Sequence, residues 1–190
     1  MSHVYFIGDL HFGHEHIQRF RTEFPSEAVH RQFLMDTWND TITKRDVVYV
    51  MGDAAFTQDG LDSIGKLVGR KILVRGNHDL LPTESYLEVF EEVYGLLAYK
   101  GYWLSHAPIH PDELYGRTNI HGHCHRGGPT GVYNSWGDHR GFTIGSPATY
   151  FNTCAEHLPT HYKPIRMDEL KECVTTRIGA WQYREANDAD

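Results

Sequence analysis

Cysteine is scarce: Cys124, Cys154 and Cys173 are the only three in 190 residues. They form no C-x-x-C pair, so neither a disulfide framework nor a thiolate zinc site is expected, and a reducing, cytoplasmic setting fits better. Long apolar runs are missing as well. The longest are broken by Gly, Lys or His before reaching the roughly eighteen residues a membrane span needs, so no membrane association is expected. Met1 to Gly8 lack the basic and apolar regions of a secretory signal, which argues against export by that route. Positive charge is not in excess: the formal net charge is -7 with 14 histidines counted as neutral. That balance disfavours a broad basic surface for nucleic acid. Repeats, low-complexity tracts and linkers are also absent, apart from a polar tail from Gln182 to Asp190. At this length one domain over residues 1–190 suffices, burying roughly 70% of the surface of the unfolded chain.

Histidine is abundant, and it clusters beside Gly and Asp in a way that asks for a metal. Apolar, β-branched-rich runs at Val4 to Ile7, Asp46 to Met51, Lys71 to Val74 and Gly101 to Leu104 read as buried strands. Each ends in Gly, His or Asp. Between the first two, Ser26 is placed to cap a helix whose apolar face is expected to carry Val29, Phe33, Leu34 and Trp38. A second amphipathic segment, Leu61, Ile64, Leu67 and Val68, precedes the third strand. The order β-α-β-α-β predicts an α/β fold with parallel pairing through helical crossovers. Further strand-like pieces lie at Thr118 to Ile120, Phe142 to Ile144 and Tyr150 to Ala155, and a closing helix is expected from Met167 to about Val174.

Ligands in such sheets gather beyond the carboxyl ends of the strands, and five loops there end in metal-ligand residue types. Asp9 and His11, two apart, are expected to leave the same side of an extended segment and chelate one ion. Gly52-Asp53 offers a carboxylate with one oxygen for each of two cations. Arg75-Gly76-Asn77-His78-Asp79 presents an amide oxygen on Asn77, leaves His78 free as an acid, and sets Asp79 to support that imidazole. His106 ends another strand. In His121-Gly122-His123-Cys124-His125, alternate histidines are expected to face one side and address two neighbouring ions, with His121 behind the ligands rather than among them. Oxygen and imidazole donors suit Mn, Fe, Zn or Co better than Mg or Ca alone.

Taken together, the series D-x-H, G-D, G-N-H-D, H and G-H-x-H resembles the five-block signature of the calcineurin-like metallophosphoesterases, and the likeness runs through Asn152-Thr153-Cys154 to Tyr162-Lys163-Pro164-Ile165. The resemblance implies a sandwich of two mixed β-sheets flanked by helices. It also implies two divalent ions, manganese first, with iron, zinc, nickel, cobalt or magnesium as alternatives. Asp9, His11 and His125 would hold one ion, Asn77, His106 and His123 the other, and Asp53 would bridge them. Two ions roughly 3.5 to 4 Å apart would activate a bridging water for in-line attack on phosphorus. His78 would then protonate the leaving oxygen.

Gly52-Asp53 is followed by Ala54-Ala55-Phe56, without the arginine that the protein Ser/Thr phosphatase branch carries there. That branch also has Glu in place of Asp79. A small phosphodiester, nucleotide or phosphomonoester is therefore the expected substrate. His14 and Arg126 are candidate substrate contacts, His14 having a helix cap as its equal alternative. Tyr133, Trp136, His139 and Arg140 of the Gly-rich stretch offer stacking and charge, as a solvated loop also would. Two other readings stand beside this one. A nuclease would have to recruit Lys66, Arg70, Lys71, Arg126 and Arg140 as a basic groove. A non-catalytic metal-binding scaffold would have no need of the acid at His78.

Overall fold

The computed structural model describes residues 2–125, 150–157 and 161–175. Its elements run β1 (Val4–Ile7), α1 (Glu27–Thr41), β2 (Val47–Val50), α2 (Gln58–Gly65), β3 (Arg70–Val74), α3 (Thr83–Leu87), β4 (Glu92–Tyr94), β5 (Leu96–Tyr99), β6 (Tyr102–Ser105), β7 (Thr118–His121), β8 (Tyr150–Asn152) and β9 (Ile165–Arg166). A closing helix, α4, occupies 167–175. The strand-like stretch Phe142 to Ile144 and the candidate contact Arg126 lie outside the described residues, as do Tyr133, Trp136, His139 and Arg140.

Two mixed sheets form. The first has the order β4-β3-β2-β1-β9 and the second β5-β6-β7-β8. In the first sheet β1 to β4 are parallel and β9 is antiparallel at the edge; in the second only the β5–β6 pair is antiparallel. The fully buried runs Phe6–Ile7, Val48–Val50 and Leu73–Val74 are what parallel strands covered on both faces require. One core cluster spans both sheets, joining Phe6, Val48 and Leu73 of the first to Leu104, Ile120 and Phe151 of the second.

Local chemistry sets the ends of the elements. Ser26 Oγ accepts from Val29 N at 3.3 Å to start α1, and Thr57 Oγ1 accepts from Gly60 N at 3.1 Å to start α2. The β6 strand begins one residue later than its apolar pattern predicts. Lys100 and Gly101, both at positive φ (46° and 87°), form the two-residue turn that pairs Tyr99 with Tyr102. The apolar face expected on α1 is also corrected. Val29 and Phe33 are 46% and 44% exposed, and the buried positions are His30, Leu34 and Trp38. A polar side chain takes a core position there because Arg21, itself buried, lies 2.7 Å from His30 Nε2. Trp38 fills the rest of that face and donates its indole N–H to Val68 O at 2.8 Å.

The strand ends of the two sheets interlock through backbone hydrogen bonds. Gly8 N donates to Thr153 O (2.7 Å), Thr153 N to His121 O (2.7 Å), Gly122 N to His106 O (2.8 Å) and Asp9 N to Gly52 O (2.9 Å). This stitching brings the loops after β1, β2, β6, β7 and β8 to one place.

Candidate metal centre

Six side chains meet at that junction in two groups, Asp9 with His11 and His125, and Asp53 with His106 and His123, the donor atoms of each group lying within 4.8 Å of one another. Asn77 joins the second group, its Oδ1 3.0 Å from His106 Nε2. Asp53 stands between the two, with Oδ2 3.8 Å from His11 Nε2 and Oδ1 3.4 Å from His106 Nε2. Asp9 Oδ1 lies 3.7 Å from His11 Nε2 and 3.5 Å from His125 Nε2. Donors about 2.0 to 2.2 Å from a shared ion are separated by roughly 3.0 to 3.6 Å, which is the scale seen here.

The backbone reaches this arrangement differently from the extended segments expected. Asp9, His11, Asp53 and His123 all adopt positive φ, at 57°, 55°, 49° and 69°. Left-handed conformations at non-glycine residues cost about 1 to 3 kcal/mol each and persist where the surrounding structure enforces them. Asp9 and His11 therefore converge through two tight turns rather than by alternation along a strand. In the 121–125 segment, His121 remains inside the second sheet, fully buried, while His123 and His125 go to different groups. The motif glycines have a steric reason. A Cβ on Gly76 would collide with Asp53 Oδ1 and lie 2.5 Å from Asp53 N, and one on Gly122 would collide with Asp9 Oδ2 and lie 2.7 Å from Met51 O.

Several neighbours fix the donors. His106 Nδ1 lies 2.8 Å from Met51 O and His125 Nδ1 lies 2.7 Å from Glu156 Oε1, so each ring can hold its proton there and turn Nε2 toward an ion. Cys154 Sγ donates to Asp9 Oδ2 at 3.0 Å, and His123 N donates to the same oxygen at 3.0 Å. Both oxygens of Asp79 are occupied by backbone N–H groups: Oδ2 accepts from Asp53 and Gly76 (2.9 and 2.8 Å), Oδ1 from Ala54 and Ala55 (2.8 and 3.4 Å). Its carboxylate thus ties down the 53–55 loop instead of addressing the His78 ring. Arg21, Glu156 and His30 extend the support and are not apparent from the motifs. Arg21 donates to Asp9 O at 2.6 Å and pairs with Glu156, the residue that holds His125.

Charge in the site is balanced for cations. Burial alone raises the pKa values of Asp9 and Asp53, but hydrogen bonding and nearby histidines outweigh it, leaving Asp9 below its usual value and Asp53 at about 2. Burial lowers His106, yet its hydrogen bond to Asp53 and the two carboxylates raise it to about 9. The two carboxylates thus favour positive charge at this point of the site. His11 shows the need most directly. Its Nε2 is buried, faces Asp9 and Asp53 at 3.7 and 3.8 Å, and has no hydrogen-bond partner among the described residues. A nitrogen aimed between two carboxylates at these distances fits a shared cation, so the donor set suits the two ions its chemistry implies.

His78 anchors to the site through its backbone, donating N–H to Asp53 Oδ1 at 2.8 Å, while its exposed ring lies against Phe56. His14 stands on the wall of the same cavity as His11, His78 and His125. Its Nδ1 accepts from His16 N at 3.2 Å ahead of the 3-10 turn Ile17–Arg19.

Two mixed sheets flanked by helices, with the donors gathered at their strand ends, make up a metallophosphoesterase fold. The chain belongs to the calcineurin-like phosphoesterases, whose family model it matches over residues 2–174. It is 29% identical over 133 residues to the uncharacterized protein MJ1445 of Methanocaldococcus jannaschii, covering 66% of this chain and 70% of that protein. It is 39% identical over 85 residues to the gene 66 protein of Mycobacterium phage D29, covering 42% of this chain and 41% of the phage protein. A solved structure, the protein of unknown function AQ665 from Aquifex aeolicus, superimposes with a TM-score of 0.68 at 26% identity, covering 91% of this chain and all of that one.

Proposed function

We propose that this protein is a single-domain, dinuclear metal-dependent hydrolase that cleaves phosphate esters of small molecules or nucleotides, with manganese as the working metal. The observation that carries the reading is Asp53, which offers one oxygen to each donor group beside the orphaned His11 Nε2. When bound, two divalent ions would supply an activated water and polarise the phosphate oxygens. The chain's own residues do the rest. Asp79 holds the Asp53 loop by its backbone, and Glu156 and Met51 O fix the rings of His125 and His106. His78, exposed in the cavity wall and tethered to Asp53, is the proton donor to the leaving oxygen, and His14 contacts the bound ester. The cavity beside the donors, about 600 Å³, has the size of a small-molecule site rather than a nucleic-acid groove. A reducing, cytoplasmic compartment is supported by three free cysteines. Among the described residues no helix is long and apolar enough to cross a membrane.

Metal-stripped protein re-supplied with manganese should hydrolyse bis-p-nitrophenyl phosphate or p-nitrophenyl phosphate. Asp53→Ala should abolish this, and His78→Ala should impair poor leaving groups more than good ones. Equal losses across leaving groups would remove His78 from the role of acid. Two bound metals with no hydrolysis of either ester would favour the scaffold reading.

A further inference from the structure

The cavity that opens at the metal ligands is walled by rings that belong to neither the ligand set nor the core. Phe20, His14, Phe56 and His78 all line it, and they form a continuous series. Phe20 meets His14 edge-on at 5.6 Å, His14 meets Phe56 at 4.7 Å, and Phe56 stacks on His78 at 5.1 Å with 20° between the ring planes. The series runs from a residue that is 63% exposed to one whose backbone is bonded to Asp53. Neither Phe20 nor Phe56 is part of the hydrophobic core. Their apolar surface is turned toward the cavity, where Ile17 and Tyr162 add more.

Polar groups in the same cavity point to what it would exclude. Glu23 and Glu156 line it, and the only permanently cationic lining residue among those described is Arg21. Both terminal nitrogens of Arg21 are engaged, one with His30 Nε2 and the other with Asp9 O and Glu156. An anionic group placed here would meet two carboxylates and find no free guanidinium.

We propose that this cavity is a subsite for the organic part of the ester, and that it selects a planar, uncharged aromatic or heteroaromatic group stacked along the Phe20–Phe56 wall. The proposal rests on the phosphoesterase reading of the adjoining centre. Rings recognise rings through offset-stacked and edge-to-face contacts, and the wall offers both faces and edges. An aliphatic group gains less, and a second phosphate or a carboxylate is repelled.

The test uses non-hydrolysable probes, so it reads binding without turnover. Phenylphosphonate, methylphosphonate and 4-carboxyphenylphosphonate are titrated calorimetrically into the manganese-loaded full chain. Phenylphosphonate should bind about tenfold more tightly than methylphosphonate, within the range known for stacking on aromatic side chains. The para-carboxylate should cancel most of that advantage. Phe20→Ala combined with Phe56→Leu should bring the two simple phosphonates within about threefold while leaving methylphosphonate affinity unchanged. Equal binding of phenyl- and methylphosphonate by the unaltered protein would overturn the subsite and leave the phosphoesterase reading intact. A preference that survives the double variant would overturn the assignment to this wall. Failure of all three probes to bind in a manganese-dependent way would overturn both readings together.

Discussion

His30 offers a test of the buried support behind the candidate metal centre that needs no metal at all. It is fully buried, and its Nε2 lies 2.7 Å from Arg21 Nη1, so in the folded protein it accepts from the guanidinium and must be neutral. Burial, reinforced by the Arg21 charge, pushes its pKa down to about 3. The unfolded chain takes up this proton near pH 6.5. Between those two values the unfolded state binds more protons than the folded state, so stability falls as the pH drops through that window. At pH 5 the cost is about 1.4 kcal/mol for each of the roughly 1.5 pH units below 6.5, about 2 kcal/mol in all. The figure is insensitive to the folded value so long as that stays well below 5. His30→Gln keeps an acceptor for Arg21 and removes the titration. Urea unfolding of metal-free protein at pH 7 and pH 5 should show the unaltered chain losing about 2 kcal/mol more than the variant, near 1 M in midpoint for an m value of about 2 kcal/mol/M. His106 and His125, whose pKa values are raised, contribute in the opposite sense, losing their stabilisation as the pH rises, and they cancel in the comparison. Identical pH dependence of the two proteins would refute the neutral, guanidinium-bound His30.

Three further outcomes follow from the same geometry. Gly76→Ala should cost about 1 to 3 kcal/mol, as overpacking does, and lower metal affinity by displacing Asp53, whereas Gly95→Ala, with nothing within 4 Å of the new Cβ, should be near neutral. Thermal unfolding and metal titration distinguish the two. Glu156→Gln should weaken the ion at Asp9, His11 and His125 by about 10- to 100-fold and spare the other, which stepwise metal titration would resolve. Chelation should lower the melting temperature of the unaltered protein, with manganese restoring it in a concentration-dependent way; a melting curve indifferent to metal would count against ions linked to the folded state.

What could be read from the sequence follows from how locally each feature is encoded. The strands β1, β2 and β3 announce themselves because buried parallel strands are continuous apolar runs, and donors stand just beyond where those runs stop. The helix caps Ser26 and Thr57 are local, and the first was legible for that reason. Less was legible where distant contacts decide. The short elements β4, α3 and β9 carry mixed patterns, and β9 is placed by pairing with Tyr5 and Phe6 from the other end of the chain and by burying Ile165 in the core. His30 displaced Val29 and Phe33 from the buried face of α1 because Arg21 lies beside it. Glu156 supports His125 from 31 residues away and meets Arg21 across 135, so no motif window contains that chain of contacts. The left-handed turns at Asp9, His11, Asp53 and His123 were likewise hidden, since a D-x-H or H-x-H spacing looks the same whether the segment is extended or coiled.

The most direct test of the central claim is the stoichiometry of manganese on metal-stripped protein, measured by equilibrium dialysis alongside hydrolysis of bis-p-nitrophenyl phosphate. Two ions per chain are expected, with activity appearing as the second is bound and with both ions weakened by Asp53→Asn, because that one carboxylate serves both groups. A single ion per chain, or two ions whose binding is indifferent to Asp53, would contradict a dinuclear centre bridged at this residue.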